Sequence, residues 1–421
     1  MRKGEHCFDS MNRIVLIGNG FDLAHGLPTR YEDFINWYWD QRYIGFGEIH
    51  NNVSKDILCE FKLNYPYIWS RFYYDNKPVI GRIQGKEIIR RILTNDYGII
   101  IEHSFSEFFD RIIKSIETKG WVDIENEYYD LLIGCAIGKT SYMDPKELNE
   151  QLLFITNRLV DYLASIDISG IKKLDGIWDS IYSPIKPEDI SNEGQHFVVD
   201  YVKQWTDADE SVLREKIRRY GFKELSYLEG VRAYKESFTT NGIPFIGYPN
   251  LFMLPDAIML LNFNYTDTSS LYCNRNLCIT THIHGELQNP DGVIFGYGDE
   301  LDDKYKELKD LNNNECLRNV KSIKYLESAN YRNVLGFMES APFQVFIMGH
   351  SCGNSDRTLL NTIFEHKNCL SIKPFYHQKA DGTDNYLSIV QNISRNFTDM
   401  KLMRDRVVNK TYCEPLPQAN S

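Results

Sequence analysis

Residues 13–20 read Arg13-Ile14-Val15-Leu16-Ile17-Gly18-Asn19-Gly20, a β-branched apolar run that stops at two glycines one residue apart. Such a run predicts a buried parallel strand entering a tight turn. Just beyond it, Thr29 stands three residues before Glu32 and ahead of Phe34, Ile35, Tyr38 and Trp39, a capping-box pattern for a helix start. Helical spacing then dominates to about residue 240. The clearest case is a helix expected from Ser104, with Glu107 three residues on and Phe105, Phe108, Phe109, Ile112, Ile113 and Ile116 at helical spacing.

Beyond residue 250 the pattern returns to short apolar strands separated by glycine and polar turns. They are expected at Ile258 to Phe263, Ile279 to Ile283, Val293 to Tyr297, Val345 to Met348 and Leu370 to Phe375, with a helix from Tyr386 to about Phe397. The fold class is therefore α/β, one mainly parallel sheet interrupted by a long, mostly helical insertion. In domain terms, residues 1–10 form a polar leader, 11–30 and 250–400 a split nucleotide-binding domain, 31–249 the insertion, and 401–421 a C-terminal strand and tail. Met11 is an alternative start.

Composition narrows the function classes. The chain has 421 residues, with 47 Lys and Arg against 58 Asp and Glu, so its formal charge is −11. That sign opposes a broad footprint on nucleic acid or an anionic membrane. The nine cysteines (Cys7, Cys59, Cys135, Cys273, Cys278, Cys316, Cys352, Cys369 and Cys413) are scattered with no C-x-x-C pair, a pattern of free thiols in a reducing compartment. With no long apolar run and no secretory signal pattern, the expected location is cytoplasmic.

In a parallel α/β sheet, ligands bind outside the carboxyl ends of the strands, so the residues that follow each strand hold the chemistry. After the first strand, Gly18-Asn19-Gly20-Phe21-Asp22 offers backbone N–H groups to a phosphate without a Cβ in the way. Asp22 either binds ribose hydroxyls or another polar group, or caps the next turn. After the second, Asn262-Phe263-Asn264-Tyr265-Thr266-Asp267 places amides and carboxylates at the sheet edge, or simply hydrogen-bonds its own turn. After the third, His282 and His284 share a strand face by alternation. His284, followed by Gly285, lies where a general base near neutral pH would stand. No third metal ligand is evident nearby, and no metal is expected. After Val345 to Met348, Gly349-His350-Ser351-Cys352-Gly353-Asn354-Ser355-Asp356 leads into a helix as an anion-binding loop, with Ser355 or Asp356 as a plain N-cap the simpler reading. The G-H-S-x-G match to an esterase nucleophile elbow fails, because His366 and His377 follow too closely to supply the downstream triad.

Together these segments resemble the AbiH-type bacterial abortive-infection family, associated with defence against bacteriophage. The resemblance rests on I-G-N-G-F-D-L-A-H-G-L-P-T at 17–29, L-N-F-N-Y-T-D at 261–267, H-I-H-G-E at 282–286 and G-H-S-x-G-x-S-D-R at 349–357. An acidic motif in the insertion, Trp121-Val122-Asp123-Ile124-Glu125, adds to it. AbiH-type proteins are in turn distantly similar to the sirtuin-like, Rossmann-like fold that binds NAD. Gly18, Gly20, Gly26, Leu27 and Pro28 keep the spacing of the sirtuin G-A-G and G-I-P segments. Phe263-Asn264-Tyr265, His284-Gly285 and Gly349-His350-Ser351 match its later motifs. Three departures stand out: no zinc-binding cysteine quartet, Thr266 in the place of an aspartate unless Asp267 replaces it, and Arg30 out of register.

The resemblance implies an antiviral abortive-infection protein that binds and hydrolyses NAD at its N-glycosidic bond, releasing nicotinamide. NAD is then the substrate, held by Gly18, Asn19, Gly20, Phe21, Asp22, Pro28, Gly285, Gly349, His350 and Ser351. His284 would act as base, Asn264 would orient water, and the Asp22 carboxylate would offset charge developing on the sugar. Other candidate residues are Asp123, Glu125, His282, Asp267 and Asp356. The expected partners are a nucleotide small molecule and a phage-derived or host trigger, with homo-oligomerisation left open and neither membrane nor nucleic acid expected. Two alternatives stay open: a nucleotide-signal switch without catalysis, and a nuclease-type toxin using His282, His284, His350, Asp123 and Glu125.

Overall fold

The computed structural model describes residues 10–46, 53–63, 101–119, 122–138, 143–221, 228–232, 235, 249–274 and 276–419. Its strands are β1 (Asn12–Ile17), β2 (Val53–Lys55), β3 (Cys59–Leu63), β4 (Ile101–Phe105), β5 (Ile258–Asn262), β6 (Cys278–His282), β7 (Phe343–Met348) and β8 (Cys369–Phe375). The chain divides into two compact units, one of Met1–Leu27, Ile168–Val293 and Lys324–Ser421, the other of Pro28–Asp167 and Ile294–Ile323.

The first unit holds a five-stranded sheet in the order β6-β5-β1-β7-β8, every neighbouring pair parallel. Starting from β1, the chain steps outward through β5 and β6 and then returns to the other side of β1 for β7 and β8. This is a Rossmann-like order, with its switch point between β1 and β7. All residues of β1, β5, β7 and β8 are buried, as expected of parallel strands covered on both faces. Alternation sends Val15, Ile17, Ile258, Leu260, Phe346 and Met348 into one apolar cluster with Phe21, Ile177, Ile181 and Tyr272. A second cluster gathers Met11, Val198, Tyr201, Trp205, Leu213, Ile217, Phe252 and Leu370.

The second unit pairs β2, β3 and β4 as a small antiparallel sheet. Its helices include Tyr31–Phe46, Glu107–Lys119, Ile124–Ala136 and Pro145–Ser165. An aromatic core of Tyr38, Trp39, Phe61, Phe105 and Phe109 meets edge to face, with centroids 5.3 to 6.3 Å apart.

Several expectations need correction. Residues 168–249, read as insertion, fall in the first unit, and 294–323 fall in the second. Val293 to Tyr297 is a loop with a single bridge from Tyr297 to Val320, because Gly296 packs its Cα against the Asn319 carbonyl where a Cβ would overlap it. Ser104 lies in β4. The helix begins two residues later than the pattern implied, where the Ser106 hydroxyl accepts the Phe109 N–H at 3.2 Å. The helix after Thr29 starts at Tyr31, with the Arg30 N–H bonded to the Asp33 carboxylate at 3.0 Å. Among its described residues the C-terminal stretch holds no strand: it opens with the helix Met400–Arg406, capped by Asp399, and continues as chain with isolated bridges at Val407 and Pro415. The leader at 1–9 and Trp121 lie outside the described residues.

Candidate functional site

The carboxyl ends of β1 and β7 meet backbone to backbone. Gly20 N–H donates to Gly349 O at 2.8 Å, Gly18 N–H to Met348 O at 3.3 Å, and Phe21 N–H to Gly18 O at 2.8 Å. A Cβ on Gly18 would lie 2.5 Å from the His350 Cα, and one on Gly349, whose φ is +77°, would overlap the Phe21 nitrogen. The glycines therefore serve close packing of two turns. This corrects the reading of Gly18 and Gly20 as a phosphate cradle, since those N–H groups already have protein acceptors. Phe21, expected at a ligand, is buried against Tyr272 and His25 in the core.

Asparagines lock the next turn in place. The Asn262 amide donates to Thr266 O at 2.9 Å and Ser269 Oγ at 3.1 Å, and its oxygen accepts the Asn264 N–H at 2.9 Å. Asn264 reaches across instead, its amide nitrogen donating to Gly18 O at 3.0 Å. Thr266 donates its hydroxyl to Asp22 Oδ2 at 2.5 Å. Burial pushes the Asp22 carboxyl above the usual carboxylate range, against the hydrogen bond from Thr266. Its backbone carbonyl accepts from His25 and Leu27, so Asp22 ties the β1 turn to the β5 turn.

The two histidines of the third segment do not share a strand face. β6 ends at His282, and Gly285, with φ +84°, turns the chain where a Cβ would overlap the Gly292 carbonyl. His282 Nε2 lies 3.3 Å from Asp267 Oδ1, and its carbonyl accepts from Asn330 at 2.8 Å. His284 belongs to a separate cluster. Its Nε2 lies 3.1 Å from Asp356 Oδ1 and 3.2 Å from the Tyr325 hydroxyl.

Asp356 carries a second imidazole on its other oxygen, with His350 Nε2 3.5 Å from Oδ2. The Cys352 N–H donates to His350 Nδ1 at 3.0 Å, which makes Nδ1 the bare nitrogen and puts the proton on Nε2, facing Asp356. Cys352 reaches back this way through a left-handed backbone, φ +55°. Burial, with Asp356 nearby, pushes its thiol up. A proton on His284 Nε2 would face the same carboxylate, 3.1 Å away. Phe263 fills the space between, its ring centroid 5.3 Å from His284 and 4.1 Å from His350. Although Asp356 stands at the cap position of the helix Arg357–Phe364, its carboxylate makes no capping bond, which corrects the N-cap reading.

The arrangement is a His–Asp–His cluster at the carboxyl edge of a parallel sheet, one carboxylate facing two imidazoles. The family model for bacteriophage abortive infection AbiH matches residues 14–377. The chain belongs to the AbiH family. No curated protein and no solved structure matched the chain.

In this AbiH chain the remaining candidates fall elsewhere. Asp123 caps the helix Ile124–Ala136 by accepting the Asn126 N–H at 3.0 Å. Glu125 is buried, 2.9 Å from Lys321 Nζ, and accepts the Gly296 N–H. Both residues, and Pro28 with its carbonyl accepting from Tyr162, belong to the second unit. Asn19 and Ser351 are exposed and Asn264 is half-buried. Among the described residues no group of three or more His, Cys, Asp or Glu is placed to hold a metal ion, and no helix is long and apolar enough to cross a membrane. The eight described cysteines are free. Sequence reading missed Tyr325, 41 positions from His284 and carrying no motif of its own.

Proposed function

We propose that this abortive-infection protein acts against phage by hydrolysing the N-glycosidic bond of NAD, with His284 as general base. The observation that carries the reading is the buried His284–Asp356 pair, 3.1 Å apart, at the ligand-binding edge of a Rossmann-like sheet. His284 takes a proton from the attacking water as nicotinamide leaves with the bonding pair, and Asp356 stabilises the imidazolium that forms. The products are ADP-ribose, nicotinamide and one proton. Ser351, exposed after β7, is a polar group placed to contact the dinucleotide. The likeness of Gly18–Pro28, Asn264, His284-Gly285 and Gly349–Ser351 to the NAD-binding motifs of the sirtuin-like fold supports the choice of nucleotide.

The test is the NAD content of phage-infected cells expressing the chain or its His284→Ala variant. NAD is expected to fall in the first and hold in the second, with nicotinamide as product; equal NAD in both overturns the reading. A receptor for a nucleotide signal, without catalysis, is favoured by one observation: His284 is only 5% exposed. Saturable nucleotide binding to purified protein with no product formed would select it.

A further inference from the structure

Away from the histidine cluster, the first unit contains a cavity of about 200 Å³ against β7 and β8. Phe346 and Phe375 line it, their rings edge to face at 5.1 Å. The Arg13 guanidinium lies over the Phe346 ring, 4.0 Å from its centroid. Into the cavity's wall is set an unusual side chain, Lys373 in the middle of a fully buried strand and itself only 2% exposed. Its ammonium lies 3.1 and 3.4 Å from the two oxygens of buried Asp189. The next acceptor, Glu414 Oε1, lies at 3.9 Å, beyond hydrogen-bonding reach. An ammonium has three N–H donors, so one buried donor is left without a protein acceptor.

The charge balance restricts what meets that donor. Lys186, Lys373 and Arg13, which lies over Phe346 and attracts Asp189, stand against Asp179, Asp189 and Glu414, three cations against three carboxylates, and Lys186 is already paired with Glu414 at 3.2 Å. The charges of the wall already balance, so no spare cation is left to offset an anion. A neutral carbonyl oxygen satisfies the donor without that cost, an adjacent N–H₂ suits the neighbouring carboxylates, and a flat apolar body suits the two phenylalanines. We infer that this cavity is a second ligand site, taking a small neutral aromatic amide with its carbonyl on Lys373 and its ring on Phe346 and Phe375. The inference stands apart from NAD hydrolysis and uses none of the histidine cluster.

The test is isothermal titration of the full chain with benzamide, and with benzoate as the charged isostere. Saturable benzamide binding is expected, with benzoate at least tenfold weaker. Lys373→Met should weaken benzamide about tenfold through loss of a charge-assisted hydrogen bond. Because that variant also leaves Asp189 buried without its cation, Ser183→Phe is the second arm. Ser183 lines the cavity outside the ion pair, and the larger ring should fill the space and abolish binding while the protein stays folded. No saturable heat with benzamide, benzoate binding as tightly, or unchanged affinity in Ser183→Phe overturns the inference.

Discussion

At the scale of single residues, Asp356 is the most informative position, because one carboxylate faces two imidazoles, and the Cys352 N–H defines the tautomer of His350. Under the proposed reaction it acts through His284. Asp356→Asn should therefore lower kcat for NAD about 100-fold, move KM little, and displace the acid limb of the pH profile. A change in KM alone, with the pH profile intact, would reduce Asp356 to a packing role. Glycines give a second contrast. Gly349 and Gly382 both have left-handed φ, +77° and +83°, but a Cβ on Gly349 overlaps the Phe21 backbone and one on Gly382 meets nothing within 4 Å. Gly349→Ala should cost about 3 kcal/mol, combining overlap with backbone strain, and Gly382→Ala about 1 kcal/mol from strain alone. Urea midpoints of the two variants check the difference. Sequence spacing singled out Gly18, Gly20 and Gly349 but assigned them to phosphate. That each glycine makes room for the other turn is a tertiary fact, since more than 300 positions separate Gly20 from Gly349.

At the scale of elements, β1, β5, β7 and β8 were legible because parallel strands buried on both faces read as largely apolar runs, whereas β6, at the sheet edge, is only partly buried. Val293 to Tyr297 is also largely apolar but forms only the isolated Tyr297–Val320 bridge, so an apolar run marks burial before it marks a ladder. The helix starts were displaced by one or two residues because neighbouring side chains compete to cap: Ser106 caps where Ser104 was expected, and Asp33 serves Arg30. Of the site, His284 and Asn264 were readable as residues that follow strands, whereas Tyr325 comes from a distant segment that no local pattern marks. Asp123 and Glu125 show the opposite case, an acidic motif whose members work as a cap and a buried ion pair. Glu125→Ala leaves the Lys321 ammonium buried without that carboxylate and should destabilise the chain by about 3 kcal/mol. NAD turnover per folded molecule should be unchanged. A turnover loss at full folding, followed by circular dichroism, would return Glu125 to the chemistry.

At the scale of the whole molecule, a formal charge of −11 sets the solution behaviour, but the pH dependence of stability is written by a few buried groups. Lys216 is buried 3.0 Å from Asp256, and its burial holds the ammonium down to about 8 against an ordinary 10.5. Between those values the folded chain has released a proton that the unfolded chain keeps, so unfolding takes up a proton and stability rises with pH. Asp22 has the reverse sign. Its carboxyl is raised above 3.8 by burial, so from 3.8 upward the folded chain keeps a proton that the unfolded chain has lost, and stability falls until the folded value is passed. Asp22→Asn removes that dependence. Its stability relative to the parent chain should climb with pH through the acid range and then level off. Lys216→Met should lose the rise above pH 8. Urea unfolding from pH 4 to pH 9.5, plotted as differences from the parent chain, separates the two effects. A flat difference curve for Asp22→Asn would mean that its carboxyl titrates alike in both states and that its burial is relieved by a partner at the β1 turn.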